Sequence, residues 1–323
     1  MALLLLEADV RRLFRMEDAL VVVEDAFRSV ARGEAANFPR QRGALPGVTL
    51  NVLSAISRKL DAAGTKTYPI VRQDVTVGST LTLLIYKLST GALDAILEAS
   101  FLGQVRTGAA SGVATKYMAR RDSRIMTLFG SGFQAATQLE AIARVLPKLE
   151  RVNVVGRSSE RVQRFCEEMK IVVNLEVVAA SNVRQAVEEA DIVTTATGAQ
   201  EPLFDGNWLR AGTHINAIGS NFAEKRELDA VAVRRADRIV ADDLAVARME
   251  SGDLIATDAQ GGLDWAAIRP LADIVDNRVP GRASDGEITL FESQGIALED
   301  IAAGCHVVKL ARERGLGTEI PIR

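Results

Sequence analysis

Cysteine and histidine are scarce, with two of each in 323 residues. Cys166 and Cys305 are too few and too far apart for a disulfide framework or a thiolate metal centre, so a reducing, cytoplasmic compartment is expected. His214 and His306 have no carboxylate or second histidine at ligand spacing, and no metal site is expected. No apolar run approaches the roughly 18 residues that a membrane-crossing helix needs. Ala2 to Leu6 is apolar, but Glu7 and Asp9 follow at once and no basic leader precedes it. It reads as a first strand rather than a targeting segment. The formal charge is only -3 and basic residues are scattered among acidic ones, which gives no electrostatic footing for nucleic acid. What is present, 48% hydrophobic and 25% charged residues, can bury a large core, and two domains are the expectation.

Between Met16 and Arg32 the positions Leu20, Val23, Ala26, Phe27 and Val30 recur at helical spacing, and Gly33 supplies a stop. Residues 37–64 are richer in Gly, Pro and Arg, and strand-like alternation follows around Thr65 to Tyr68 and Thr80 to Leu88. Arg106 to Met118 looks helical and is crowded with Gly, Ala and Ser, which allow close approach to a neighbour or a ligand. From Ser123 onward the pattern changes. Short β-branched runs at Ile125 to Phe129, Val152 to Val155, Leu175 to Val178, Asp191 to Thr195, His214 to Ile218 and Arg238 to Ala241 alternate with helical segments. That alternation predicts an α/β fold with a Rossmann doubly wound parallel sheet. A further strand near Ile288 to Phe291 and a closing helix from Leu298 to Arg314 complete the chain.

The strand Ile125 to Phe129 runs directly into Gly130-Ser131-Gly132-Phe133-Gln134-Ala135. A Gly-x-Gly turn in this place lets the backbone reverse tightly and brings the next helix's free N-H groups against a pyrophosphate. Ala135, where the longer fingerprint has a third glycine, is small enough for close helix packing. A nicotinamide dinucleotide is the implied cofactor. At the end of the second strand, where an acidic residue would hold an NAD ribose, the sequence has Gly156-Arg157-Ser158-Ser159. A guanidinium forks onto a 2'-phosphate and hydroxyls can donate to it, so NADP(H) is favoured over NAD(H).

Several stretches together resemble the ornithine cyclodeaminase/mu-crystallin family over most of the chain. They are Gly64-Thr65-Lys66-Thr67-Tyr68, Arg106-Thr107-Gly108-Ala109-Ala110, the turn with Gln134-Ala135, and Asn216-Ala217-Ile218-Gly219-Ser220-Asn221. Arg226-Glu227-Leu228-Asp229 and Phe291-Glu292-Ser293-Gln294-Gly295 with Glu299-Asp300 complete the set. The resemblance implies a homodimer with a split α+β substrate-binding and dimerisation domain, residues 1–121 and 286–323. Between the two halves of that domain it implies a Rossmann domain, residues 122–285, with the active site in the cleft. It implies hydride transfer between nicotinamide C4 and the Cα of a small amino acid or its imine. Lys66 matches the polar group beside the reacting carbon and Arg106 the arginine that holds the substrate carboxylate. The chemistry suits both roles, because a guanidinium clamps a carboxylate bidentately and a buried lysine can exchange protons near neutrality. A second carboxylate-binding arginine is expected in the early loop, with Arg42 preferred and Arg40 as the alternative. Gln294 is a further candidate substrate contact. Thr107, Thr195, Ala196, Thr197 and Gly219 join the turn, Gly156, Arg157 and Ser158 as candidate cofactor contacts.

Family members that cyclise ornithine carry an aspartate where this chain has Asn221, and a glutamate that aligns with Asn51. Asn221 is a candidate catalytic residue, yet an amide can orient a substrate and cannot serve as a base. The expectation is therefore an NAD(P)-dependent imine reductase or amino-acid dehydrogenase. Two alternatives stay open: an ornithine cyclodeaminase-type lyase using bound NAD, and a non-catalytic NADPH-binding crystallin-like protein.

Overall fold

A computed structural model describes residues 1–71 and 79–322. It divides into two compact units, Met1–Arg106 with Ile296–Arg323, and Thr107–Gly295. In chain order the first unit opens with β1 (Ala2–Leu5), α1 (Glu7–Leu13) and α2 (Met16–Ala31). There follow β2 (Ala35–Leu45), β3 (Val48–Ser57), β4 (Ala62–Val71), β5 (Thr82–Lys87) and β6 (Leu93–Glu98). α3 (Ser100–Met118) carries the chain on into the second unit.

The second unit alternates β7 (Ile125–Phe129), α4 (Phe133–Val145), β8 (Arg151–Val155), α5 (Ser159–Val173), β9 (Glu176–Ala179), α6 (Val183–Glu189) and β10 (Ile192–Thr195). It continues through β11 (His214–Ala217), α7 (Ala230–Arg235), β12 (Arg238–Ala241), α8 (Leu244–Glu250), α9 (Gly252–Ala259), β13 (Arg269–Pro270), α10 (Leu271–Val275) and β14 (Thr289–Glu292). α11 (Ala297–Arg314) and β15 (Thr318–Ile320) then return to the first unit.

In the first unit seven strands form one sheet in the order β15-β1-β6-β5-β4-β3-β2, antiparallel except for the β1–β6 pair. The long strands β2 and β3 occupy the stretch whose Gly, Pro and Arg content hid any alternation. β2 is an edge strand, and its register shifts between Phe38 and Gln41, where Pro39 stands. An edge irregularity is where a sheet tolerates a residue without a backbone N-H. The pattern was also masked by polar residues at inward positions: Asn51 is fully buried and Arg40 nearly so.

The second unit's eight strands are all parallel, in the order β13-β12-β14-β11-β10-β7-β8-β9. β7 and β10 appear as the continuous apolar or β-branched runs expected of strands covered on both faces. The order reverses between β7 and β10, the switch point at which such sheets bind ligands. The strand at 289–292 does not belong to the first sheet, as the 286–323 boundary would have it. β14 pairs with both β11 and β12. Its four residues are all buried, which suits the interior of a parallel sheet.

Within the second unit, the small residues after Arg106 serve helix contact. A side chain on Gly108 of α3 would stand 2.3 Å from the backbone oxygen of Thr137 in α4. Gln138 Nε2 donates to the Thr107 carbonyl at 3.1 Å across the same contact. Gly108→Ala is expected to cost about 1–3 kcal/mol of stability through forced backbone displacement, read as a lowered Tm in thermal unfolding.

Candidate active site

The inward face of the first sheet carries an ionic cluster. The register sets Lys66 of β4 opposite Leu53 and Leu83, and Asn51 opposite both Arg42 and Tyr68. α11 brings Glu299 and Asp300, in its first turn, to the same cluster. Lys66 Nζ donates to Asp300 Oδ2 at 2.6 Å. Arg106 Nε donates to Asp300 Oδ1 at 2.9 Å, and Arg106 Nη1 to Glu299 Oε2 at 2.6 Å. Lys66 and Arg106 are almost completely buried, and both carboxylates are entirely so. Two cations facing two anions in a dry environment is the arrangement by which buried charge is tolerated.

Burial and the Arg106 charge push the Lys66 amine down to about 8, against the opposing pull of Asp300, while Arg40 adds to the depression. Burial works against ionised Asp300 as well, but Arg106 and Lys66 outweigh it and hold that carboxyl below its usual range. Burial likewise opposes the Arg106 charge, which Asp300 and Glu299 more than restore. The result is a fixed guanidinium and carboxylate around an amine that can change protonation near neutral pH. Arg106 has Nε and Nη1 committed to these carboxylates, so Nη2 is the nitrogen that neither of them uses.

The two early arginines are treated differently. Arg40, beside the β2 irregularity, is buried and close enough to Lys66 for its charge to be felt there. Arg42 is half-buried, and its Nε donates to Asn51 Oδ1 at 3.1 Å. That bond orients the Asn51 amide, whose buried Nδ2 has no acceptor among the described residues.

In the second unit a cavity of about 470 Å³ opens at the switch point. Gly130, Ser131, Gly132, Gly156, Arg157, Ser158, Ala196 and Thr197 all line it. Gly130 has φ +115°, and its N-H donates to Val155 O at 2.8 Å, closing the turn against β8. Gly132 caps α4 without a side-chain bond, and a Cβ there would meet nothing within 4 Å. Free helix N-H groups and open space are what a pyrophosphate requires. The lining contains two guanidiniums, Arg157 and Arg161, and no carboxylate. The residues present therefore fit a dinucleotide.

Phe133 is exposed, Ala135 is on the buried face of α4, and the buried Gln134 Oε1 has no donor among the described residues. Thr107, Thr195 and Gly219 do not line the cavity, but Gly219 packs against Thr197 of its wall and donates its N-H to Glu227 Oε2 at 2.8 Å. Asn221 Oδ1 accepts from Lys225 Nζ at 3.4 Å, and Gln294 Nε2 donates to Glu292 Oε2 at 3.3 Å. His214 is a core residue: burial and Arg282 push it down to about 3, and its ring nitrogens meet Thr289 and Asn216. Among the described residues no group of three or more His, Cys, Asp or Glu is arranged to hold a metal ion.

Glu227, Glu299 and Asp300 stand in the motifs that carry the family resemblance, but neither their roles nor that of Arg161 is legible in the sequence. Two acids in a helix's first turn read as ordinary complements of the helix dipole. Only their burial marks them as counter-charges.

The sequence model of the ornithine cyclodeaminase/mu-crystallin family matches residues 1–315. Over 276 residues the chain is 34% identical to a Delta(1)-pyrroline-2-carboxylate reductase of Bacillus cereus, covering 84% of each. The structure of Thermococcus litoralis Delta(1)-pyrroline-2-carboxylate reductase in complex with NADH and L-proline superposes with a TM-score of 0.93. It has 34% identity and covers 98% of this chain and 100% of that one. An archaeal alanine dehydrogenase dimer with bound NAD has a TM-score of 0.94 at 28% identity, covering 100% and 99%.

Proposed function

The chain belongs to the ornithine cyclodeaminase/mu-crystallin family, and within it we propose an imine reductase or amino-acid dehydrogenase that moves hydride between a nicotinamide and the Cα of a small amino acid or its imine. The observation that carries this reading is the buried Lys66–Asp300–Arg106–Glu299 cluster. A bound nicotinamide supplies or accepts the hydride. Lys66 holds the proton that the imine nitrogen takes up on reduction, and takes one from the substrate amine on oxidation. Asp300 anchors the ammonium, and Arg106 meets the substrate carboxylate with Nη2. Arg40 is the second carboxylate contact in this reading, because it already stands in the field of Lys66, whereas Nε of Arg42 is engaged by Asn51.

Asn51 and Asn221 separate this reaction from ornithine cyclisation. Neither amide can accept a proton, so neither can serve a substrate's distal ammonium as a base. Nδ2 of Asn51 is a donor, which suits an uncharged or anionic substrate end and repels an ammonium.

Arg157 supports NADP(H), with Arg161 beside it in the same cavity. The Ser158 hydroxyl accepts the Arg161 N-H at 3.4 Å as a helix cap, and its own hydrogen stays available to a phosphate. The assembly proposed is a homodimer, and the two free cysteines fit a reducing, cytoplasmic location. No helix among the described residues is long and apolar enough to cross a membrane.

Nicotinamide absorbance tests both parts of the reading. NADPH and NADH are titrated against a cyclic ketimine carboxylate and against pyruvate with ammonia, and a parallel incubation contains ornithine and NAD alone. Turnover of an imine with net NADPH consumption is the expected result. Release of ammonia from ornithine without net cofactor change would replace the reductase with a lyase. Arg157→Asp is expected to lower the NADPH-over-NADH ratio of kcat/KM by about 10- to 100-fold, by replacing a charge-assisted contact with repulsion.

A further inference from the structure

Three carboxylates of the second unit, Glu227, Asp253 and Glu292, are fully buried and have no part in the chemistry above. Glu227 lies in the connection from β11 to α7, and both its oxygens are occupied. Oε1 accepts the Thr197 N-H at 2.7 Å and the Thr197 hydroxyl at 2.6 Å, while Oε2 accepts the Gly219 N-H at 2.8 Å. Thr197 follows β10 and Gly219 follows β11, neighbouring strands beside the switch point. The carboxylate thus sits between two loops and holds each by its backbone. The fit leaves no slack: a Cβ on Gly219 would stand 2.2 Å from Thr197 O and 2.5 Å from Glu227 Oε2.

The backbone around Glu227 is itself fixed. Asp253 Oδ1 accepts the N-H groups of Glu227 and Leu228 at 2.8 and 2.9 Å, and Leu203 N donates to Glu227 O at 2.9 Å. Thr197, Gly198, Ala199 and Leu203 form one wall of the dinucleotide cavity. The glycine turn lines the same cavity and adjoins this wall, since a Cβ on Gly130 would come within 2.6 Å of Ala196 O. A small displacement of the 196–199 loop therefore changes the width of the cavity at the turn.

We propose that Glu227 is a positioning residue for cofactor binding, its carboxylate clamping the loops after β10 and β11 so that the cavity wall at Thr197 to Ala199 is set before the dinucleotide arrives. The inference rests on the reading of that cavity as the dinucleotide site. A carboxylate suits the place because two backbone N-H groups and the Thr197 hydroxyl all donate to it, and of these only the hydroxyl could also accept. An amide at the same place would turn two hydrogens toward donors. Burial works against a charged Glu227 and raises it, while the bonds from Thr197 and Gly219 oppose that rise. Glu292 Oε1 and Asp253 Oδ2 are both buried without a donor among the described residues, and protonation of either acid would lower the negative charge around Glu227. Burial and the facing carboxylates raise both groups, Asp253 to about 7, with Arg226 the cation that opposes the rise at Asp253.

The test is equilibrium binding of NADPH, and separately of NADH, to the intact protein without substrate, followed by nicotinamide fluorescence. Thermal unfolding of the unliganded protein is recorded beside it. Glu227→Gln is expected to weaken binding about tenfold or more, the loss associated with charge-assisted hydrogen bonds. Thr197→Val, which leaves the carboxylate in place, is expected to weaken it severalfold, and Thr197→Ser to restore it. Glu292→Gln mimics a protonated acid and is expected to bind as the parent does. Folded Glu227→Gln and Thr197→Val proteins with parental affinity would overturn the proposal, as would a Glu292→Gln defect equal to that of Glu227→Gln. Failure of the parent protein to bind either dinucleotide would instead sink the cofactor reading. Absence of imine turnover with binding intact would touch only the reaction assignment.

Discussion

Replacing Lys66 with methionine should lower kcat for imine reduction by roughly 10²- to 10⁴-fold, the usual contribution of a positioned acid or base. Methionine keeps the length and apolar stem, so the loss isolates the ammonium. The parent pH profile carries the same information. With Lys66 at about 8, reduction needs the protonated amine, so its kcat/KM should fall as pH rises through that value. Oxidation needs the neutral amine, and its rate should rise through the same range. Asp300→Asn removes the charge that raises the Lys66 pKa, so the falling limb for reduction should move to lower pH. Lys66→Arg keeps a cation that cannot release its proton, and should bind substrate while turning over slowly. Initial rates across a pH series spanning the Lys66 value of about 8, with buffer and salt held constant, read all of these. A Lys66→Met enzyme with turnover close to the parent's would remove Lys66 from the mechanism.

The second large effect concerns stability as much as catalysis. Arg106→Leu removes the guanidinium that bridges Glu299 and Asp300, both of which are entirely buried. Removing one partner from a buried ionic group costs about 3–5 kcal/mol, because the remaining charge is not rehydrated. For a chain of this size that corresponds to a Tm lower by on the order of 10 °C. In the folded fraction, substrate KM should rise sharply, since the proposed carboxylate contact at Nη2 is lost. Arg106→Lys should rescue only part of either effect, because a point charge cannot serve Asp300, Glu299 and a third acceptor from one planar fork. Thermal unfolding and steady-state kinetics on the same preparations separate the two consequences. An Arg106→Leu protein as stable as the parent would mean that the carboxylates are not held as charges at all.

Much of the architecture was legible because its signals are local. A strand, a Gly-x-Gly turn and a helix follow one another within about twenty residues from Ile125, and each obeys backbone rules that neighbours in sequence can enforce. The end of β8 was equally readable: Arg157 stands where an NAD site would place an acid, and the structure puts it in the cavity wall. β2 and β3 were not legible, since an edge strand with Pro39 at an irregularity and polar residues facing inward breaks the alternation that marks a strand. Nor was the place of β14, because sequence order says nothing about which strands will flank it.

The amino-acid sequence on its own determined the parallel sheet, the glycine turn and the chemical types gathered for the site, since these depend on short-range backbone geometry and residue identity. Only the tertiary structure decided what surrounds each charge. Lys66 and Asp300 are separated by 234 positions and meet at 2.6 Å. The depressed basicity of Lys66, the contrast between Arg40 and Arg42, and the clamp formed by Glu227 all arise from burial and from partners distant in sequence. Desolvation and Coulomb interaction depend on distance in space, and the fold alone sets that distance.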